Sequence, residues 1–481
     1  MNEGLNALVY CLSLSLFCIT KLRRYYMESA SRPKPDRYVL VISIDGMANY
    51  YLQDPNVRMP NLRELIRSGT CAEAMESVFP TATWAIHSSL VTGNYPRKHG
   101  VLGNWVVDRP NYRVGEHFGD RMWDKQDVLR GETWYDAAKR MGWTTASICW
   151  PVTRGADTID YNIPEFYEQE LFESHCTRSL WDELKAAGLP MELYGEWSKD
   201  HARGPMQDWL TTEIAKYIID RHSPNLLQLH YLLPDSYQHD YGVRSKEVYW
   251  SLEYVDERIG EVLKALKQKG ILDKTDVIVL SDHGFVNTTR TFYPNVLFKH
   301  KGWLAQNLKD EHDLKDSRVV AVSNGGSGYV YVLEDNAGAK ELLMDEVRRA
   351  LAESEGVGRL FEQEDFPSLG LPAAGEMDDH CPDFAFEAEP DCFVHFDYSG
   401  DEVNTSFTKF KGMHGFLPQR EELKAVFVAS GPSIRPGASL PEIRIVDVAP
   451  TIARLLGTEL KDTDGSELDS LWKEEVRLWS F

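Results

Sequence analysis

Much that marks small secreted or polymer-binding proteins is missing from this sequence. Its seven cysteines (Cys11, Cys18, Cys71, Cys149, Cys176, Cys381 and Cys392) form no CxxC pair, and their number is odd. A chain of 481 residues can bury a large core without covalent staples. The thiols therefore read as mostly reduced, and the expected compartment is the cytoplasm. Basic residues are in the minority: 52 Lys and Arg against 74 Asp and Glu give a formal net charge of −22. Such a surface repels phosphate polymers, so no nucleic-acid polymer is expected as a partner. A small phosphoester drawn into a metal-bearing pocket stays compatible, because bound ions set the local charge there. Internal repeats and low-complexity tracts are absent as well, which excludes solenoids and repeat arrays.

Long apolar runs are equally scarce. LNALVYCLSLSLFCIT (Leu5 to Thr20) is short for a membrane span, and Lys21, Arg23 and Arg24 follow it. A signal peptide carries its positive charge before the apolar run, not after it. Met27 opens MESASRPKPDRYVLV, a natural beginning for a globular domain. Residues 1–36 are therefore expected to be an apolar segment and linker, with the true start at Met27 and the upstream part a start-site artefact. The alternative is a genuine anchor or export segment at residues 5–20; without it, no membrane association is expected.

From Arg37 onward the sequence alternates regularly. YVLVISID (Tyr38 to Asp45), TTASICW (Thr144 to Trp150), LLQLHYLL (Leu226 to Leu233), DVIVLS (Asp276 to Ser281) and KAVFVAS (Lys424 to Ser430) are apolar runs suited to strands buried on both faces. Helical patterns separate them: PNLRELIRS from Pro60, ETWYDAAKRM from Glu132, Gln207 to Arg221 and Val248 to Lys269. The expected fold class is α/β, a mostly parallel central sheet flanked by helices. Near Ser317 the style changes to RVVAVS, GYVYVL and the helix AKELLMDEVRRALAE, followed by charged, loop-rich sequence. This suggests a small α+β insertion of β-β-α type at 317–399, interrupting a catalytic domain made of 37–316 and 400–481.

One stretch organises the functional reading: VFPTATWAIHSSLVTGNYPRKHGVLGN, Val78 to Asn104. An apolar approach ends in Pro-Thr-Ala-Thr, and TWAIHSSLV begins a helix. Thr83 falls at or beside the N-cap, where free backbone N–H groups favour an anion, and Asn104 can offer its amide to the same place. Thr is also a common N-cap, so capping alone accounts for it equally well.

The acidic and histidine residues supply the context. Asp45 ends the first strand, Asp235 and His239 follow LLQLHYLL, Asp282 and His283 follow DVIVLS, and His414 sits in the turn KGMHGF. In open α/β sheets the ligand crevice lies beyond the carboxyl ends of the strands. Three Asp and three His offer two sets of oxygen and nitrogen ligands, suited to two zinc ions, or to manganese. Two such ions form a clamp for in-line displacement at phosphorus. Each residue also has a plainer role: Asp45-Gly46 as a turn, Asp282 as a cap, Asp235 and His239 as an i,i+4 pair, His239 and His414 as hydrogen-bonded histidines.

Taken together, VISIDGM, FPTATWAIHSSLVTGNYPRKHGVLGN, PDSYQHDYG, LSDHGF and KGMHGF resemble the type I phosphodiesterase/nucleotide pyrophosphatase family of the alkaline phosphatase superfamily. The resemblance implies an alkaline-phosphatase-like core. It also implies a two-metal hydrolase of phosphodiesters or pyrophosphates, nucleotide-type substrates included, working through a phosphothreonine intermediate. Residue by residue, it implies that Asp235, His239 and His414 hold one metal and that Asp45, Asp282 and His283 hold the other with Thr83. It makes Thr83, not Thr81, the nucleophile and Asn104 the amide on the phosphoryl oxygen. The family's usual Thr-Phe-Pro-Asn-His is here Thr83-Trp84-Ala85-Ile86-His87.

Beside that resemblance, the backbone N–H of Trp84 is expected to assist Asn104, His87 to serve structurally, and Tyr237 to line the substrate pocket. Trp105, Tyr112, Phe118, Trp123, Trp134 and Trp150 are candidates for stacking on a leaving-group ring, or for ordinary packing. A sulfatase would need a C-x-P-x-R nucleophile setting, which PTATW lacks. The enzymatic alternative is a phosphonoacetate hydrolase-like C–P hydrolase, with Lys125 or Arg109 recognising a carboxylate. The non-enzymatic alternative is a phosphate-binding scaffold.

Overall fold

The computed structural model describes residues 36–305, 313–377 and 379–474. The apolar segment at 5–20, the start at Met27, Cys11 and Cys18 lie outside the described residues. Among the described residues, no helix is long and apolar enough to cross a membrane.

Eight strands form the central sheet: β1 (Tyr38–Ile44), β2 (Thr70–Ala72), β3 (Thr145–Trp150), β4 (Tyr161–Pro164), β5 (Leu226–Tyr231), β6 (Thr275–Leu280), β11 (Phe427–Ser430) and β12 (Ala438–Leu440). Their order is β12-β2-β11-β6-β1-β5-β3-β4. β1 pairs in parallel with β5 and β6, and β3 in parallel with β4 and β5. β11 alone runs antiparallel, against both β2 and β6. Central strands read as unbroken apolar runs because helices cover both faces. One face packs on α1 (Pro60–Ser68), α4 (Gly204–Arg221) and α6 (Lys246–Lys269), the other on α2 (Thr83–Thr92), α3 (Trp134–Arg140) and α8 (Val448–Leu455).

Register sets the working edge. Ser43 lies opposite Leu280 and Ile44 opposite Tyr231, so the residues just beyond β1, β5 and β6 emerge level with one another. LLQLHYLL does not continue as a strand to Leu233: the chain turns after Tyr231 into α5 (Leu233–Tyr241), with Pro234 in its first turn. Proline has no N–H for a strand ladder and suits a helix start, which explains the earlier end.

Between β6 and β11 a second sheet is built from β7 (Val319–Ser323), β8 (Ser327–Val332), β9 (Val357–Glu362) and β10 (Phe384–Ala388), with α7 (Ala337–Ala352) between β8 and β9. It is antiparallel in the order β7-β8-β10-β9 and has its own apolar core. The expected β-β-α unit is thus accompanied by two further strands. β9 is an edge strand, VGRLFE, whose Arg359 is exposed, so it carries no continuous apolar signal.

Candidate active site

The predicted metal ligands converge at the carboxyl edge of the sheet in two adjacent clusters, Asp45/Asp282/His283 and Asp235/His239/His414. In each, one ligand atom per residue lies within 4.8 Å of the others. In the first, His283 Nε2 is 3.4 Å from Asp45 Oδ1 and 3.3 Å from Asp282 Oδ2. In the second, Asp235 Oδ2 is 3.4 Å from His239 Nε2, and its Oδ1 is 3.7 Å from His414 Nε2. The His283 and His414 rings stack with centroids 3.8 Å apart, which makes the clusters neighbours.

The histidines are presented in one way. Nδ1–H donates to a backbone carbonyl in each: His239 to Gly412 at 3.0 Å, His283 to Gly284 at 3.2 Å, His414 to Thr81 at 2.7 Å. This fixes the tautomer and leaves the Nε2 lone pair facing the carboxylates, as a metal ligand requires. Burial depresses all three, His239 to about 4, His414 to about 3 and His283 well below its ordinary value. Burial, then the neighbouring Asp282 and Asp235, pushes Asp45 well above the carboxylate range; burial pushes Asp235 up to about 6. Asp45 Oδ1, Asp235 Oδ1 and Asp282 Oδ2 are buried without a hydrogen-bond partner. Orphaned carboxylate oxygens facing neutral imidazoles are what a divalent cation would satisfy, so the donor set fits two such ions.

Both backbone-anchoring roles expected of Asp282 and Asp45-Gly46 are also visible. Asp282 Oδ1 accepts from the N–H groups of Gly46 (3.1 Å) and His283 (2.9 Å), while Gly46 takes φ +70°. The Asp282 carboxylate is divided, with Oδ1 engaged by backbone N–H groups and Oδ2 left without a partner.

The two threonines of Pro-Thr-Ala-Thr part company. Thr81 Oγ1 donates to Phe416 O (2.9 Å) and accepts from Gly415 N–H (2.8 Å), clamping the His414 turn onto this loop. Thr83 is the first residue of α2; the N-cap is Ala82, without a side-chain cap bond. The capping role considered for Thr83 therefore does not occur. Its hydroxyl lies 3.5 Å from His283 Nε2, beside the first cluster.

Asn104 Oδ1 accepts the backbone N–H of Trp84 at 3.1 Å. That N–H, expected to face the substrate, instead orients Asn104, whose Nδ2 is left as the donor. Asn104 N–H in turn donates to Asn324 Oδ1 at 3.2 Å. The buried His87 ring donates Nδ1–H to Thr83 O (2.9 Å) and accepts from Ser43 Oγ (3.1 Å) at Nε2.

A cavity of about 420 Å³ opens over both clusters, lined by Thr83, Trp84, Asn104, Trp105, Phe118 and Tyr167 among others. Phe118 stacks on Tyr167 at 4.7 Å and on Trp105 at 6.3 Å, giving one aromatic wall. Of the six aromatic candidates, only Trp105 and Phe118 line this cavity; Trp134 and Trp150 are core, and Tyr112 donates to Asp335. Tyr237 is a correction. It sits two residues beyond Asp235 on α5, about 200° round the helix, and its ring packs on Tyr241 and Trp250 away from the cavity. Arg109 and Lys125 are a second correction. Arg109 pairs with Asp383 at 2.6 Å and Lys125 with Asp136 at 2.6 Å, and neither reaches the cavity.

Sequence reasoning missed Tyr167, Glu165, Asn324, Phe393, Phe396, Lys409 and Phe410, all of which line it. All but Phe393 come from loops, and Phe393 from the three-residue strand Cys392–Val394, so no periodicity or shared motif marks them. It also missed His230, buried inside β5, whose only signal is a lone histidine in an apolar strand.

An eight-stranded α/β sheet with paired carboxylate–imidazole clusters beyond β1, β5 and β6 defines a hydrolytic α/β protein built for phosphoester chemistry. The sequence profile described as type I phosphodiesterase/nucleotide pyrophosphatase matches residues 39–417, and the chain belongs to that family, within the alkaline phosphatase superfamily. It is a hydrolase of the phosphodiesterase/nucleotide pyrophosphatase class, and its family implies dependence on divalent metal.

The chain is 25% identical over 437 residues to ectonucleotide pyrophosphatase/phosphodiesterase family member 7 of Rattus norvegicus, covering 89% of this chain and 85% of the relative. It is 28% identical over 267 residues to the bis(5'-adenosyl)-triphosphatase ENPP4 of Bos taurus, covering 55% and 50%. Among solved structures, inactive (T72A) murine ENPP5 in complex with AMP superposes with a TM-score of 0.65 at 19% identity, covering 91% of this chain and all of that one. This likeness establishes an alkaline-phosphatase-like fold.

Proposed function

We infer that the protein hydrolyses phosphodiesters or pyrophosphates through a phosphothreonine intermediate on Thr83, at a site holding two divalent ions. One observation carries this: the Thr83 hydroxyl is free of capping and lies beside three buried ligand residues whose carboxylates have unpartnered oxygens. Asp45, Asp282, His283 and Thr83 would hold one ion, and Asp235, His239 and His414 the other. Zinc suits the mixed oxygen and imidazole set, with manganese the alternative. When bound, the ions supply positive charge that lowers the hydroxyl pKa and offsets charge on the phosphoryl and leaving oxygens.

Thr83 Oγ1 attacks phosphorus in line, the bond to the leaving oxygen breaks, and water later cleaves the phosphothreonine. Asn104 Nδ2 donates to a phosphoryl oxygen, held in place by Trp84 N–H. The aromatic wall of Trp105, Phe118 and Tyr167 takes the leaving-group side. A nucleotide-type substrate is supported by the bovine relative's name, a bis(5'-adenosyl)-triphosphatase, and by the AMP in the murine structure. The C–P hydrolase alternative loses support, since Arg109 and Lys125 are engaged elsewhere. Cys71, Cys149, Cys176, Cys381 and Cys392 are all free thiols, which supports a reducing, cytoplasmic compartment.

The test is hydrolysis of bis-p-nitrophenyl phosphate, p-nitrophenyl phosphate and phosphonoacetate by zinc-reconstituted protein. Diester turnover is expected to lead, and Thr83→Ala to abolish it while both ions still bind. Preference for phosphonoacetate would overturn the diesterase reading, and silence on all three with metal bound would favour the scaffold.

A further inference from the structure

Two buried side chains, His230 and Glu165, stand in line with Asp45. His230 on β5 is wholly buried, and its Nδ1 lies 3.0 Å from Glu165 Oε2. A ring nitrogen facing a carboxylate is an N–H donor, so Glu165 fixes both the tilt of the ring and the proton at Nδ1. By the same rule His230 Nε2, 3.4 Å from Asp45 Oδ2, is the ring's second N–H and is directed at that oxygen, so the ring stands between two carboxylates. Asp45 Oδ1 is the oxygen turned to His283. The two oxygens of one carboxylate are thus divided, Oδ2 toward His230 and Oδ1 toward the metal cluster. The ring has no room to swing, because the His87 ring sits 4.3 Å from it and the Trp150 ring 6.3 Å. Glu165 is equally well held: its Oε1 accepts from Tyr167 OH at 3.1 Å, and Tyr167 is part of the aromatic wall.

The geometry points to Glu165 and His230 as positioning residues that lock the rotation of the Asp45 carboxylate and so present Oδ1 to a divalent cation. The inference rests on the two-ion reading of the site and adds two residues outside both ligand sets. A ligating carboxylate that turns freely must be ordered when the ion arrives; one already held from behind does not. Groups that hold a ligand in this way typically contribute tenfold to a hundredfold in metal affinity or activity. The line of contacts also joins the aromatic wall of the cavity to a metal ligand through Tyr167, Glu165 and His230.

The experiment is zinc titration of the metal-free full chain by calorimetry, with kinetics on bis-p-nitrophenyl phosphate, for the wild type, His230→Gln, Glu165→Gln and Glu165→Asp. The wild type is expected to take two ions. In His230→Gln and Glu165→Gln one of the two sites should weaken by about tenfold to a hundredfold. At saturating zinc, kcat should fall with KM nearly unchanged, and Glu165→Asp should recover part of the affinity. Should His230→Gln not fold, the near-isosteric Glu165→Gln carries the test alone.

Wild-type zinc affinity in both Gln variants would overturn the inference. So would a KM rise in Glu165→Gln without loss of metal affinity, which would make Glu165 a substrate contact. Three ions in the wild type, one lost in His230→Gln, would make His230 a ligand, and that too would overturn it. No hydrolysis by zinc-loaded wild type would count against the proposed function instead, and the titration would still judge the positioning role.

Discussion

Replacing Asn104 tests how the phosphoryl group is held. Its amide orientation follows from the contacts: Oδ1 takes the Trp84 N–H at 3.1 Å, so Nδ2 is the donor presented to the cavity. The main chain at Asn104 is itself pinned to Asn324 Oδ1, so the donor is preorganised. Removing one preorganised donor to a developing oxyanion costs about 2.7–4 kcal/mol, or about 10²- to 10³-fold in kcat. Asn104→Ala should therefore lose that factor on bis-p-nitrophenyl phosphate, with two ions still bound. Asn104→Asp separates donor from scaffold. It keeps an acceptor for Trp84 N–H but replaces the donor with negative charge in the cavity that Asp45 also lines, facing the phosphoryl group, so its loss should equal or exceed that of Ala. The assay is steady-state kinetics at saturating zinc, with metal content measured on the same samples. A loss below about fivefold in Asn104→Ala, or an Asp variant more active than Ala, would refute the assignment.

Chelation should lower the thermal midpoint, because Asp45, Asp235 and Asp282 then keep unpartnered buried oxygens; zinc at a hundred times its Kd should restore about 2.7 kcal/mol per site, and a melt indifferent to zinc and chelator would contradict this. His99 accepts Val101 N–H at Nδ1 and so donates Nε2–H to Ser89, and burial lowers it to about 3. The unfolded chain takes up this proton near pH 6.5, the folded chain only near 3, so His99 favours folding above pH 6.5 and that contribution is lost as pH falls toward 3. His99→Gln should flatten the stability profile between pH 4 and 6 by about 1.4 kcal/mol per pH unit in urea titrations. Gly415→Ala should cost more than about 2 kcal/mol: Gly415 has φ +93°, and a Cβ there would lie 1.6 Å from Asn324 O. Differential scanning calorimetry would show it.

The central sheet and the six residues of the two carboxylate–imidazole clusters were legible in the sequence for a physical reason. Strands buried on both faces are mostly apolar, so Asp45, Asp235 and Asp282 stand out where each run stops. The pocket walls leave no such trace. Tyr167, Phe393, Phe396 and Phe410 meet only after distant segments fold together, and single aromatics in loops or in a three-residue strand carry no period. Tyr237 shows the converse error, since a place inside a motif does not fix the side of α5 on which a ring emerges. His230 was hidden because a buried histidine in a strand looks like a core residue until Glu165, from a different strand end, is seen beside it. The second sheet was half legible: β7 and β8 are apolar and evident, whereas the edge strand β9 and the short β10 gain their order from pairing.

The hydrogen bond from Asn104 N–H to Asn324 has a consequence for protein engineering. Asn324 sits in the turn between β7 and β8, and the neighbouring Gly326 N–H donates to His414 O at 2.7 Å. The second sheet is therefore no cassette to be trimmed or exchanged with a relative's. A chimera joined on either side of β7 and β8 would inherit the Thr83 helix intact, yet lose the backbone props under Asn104 and His414 unless the Ser323–Gly326 turn travels with them.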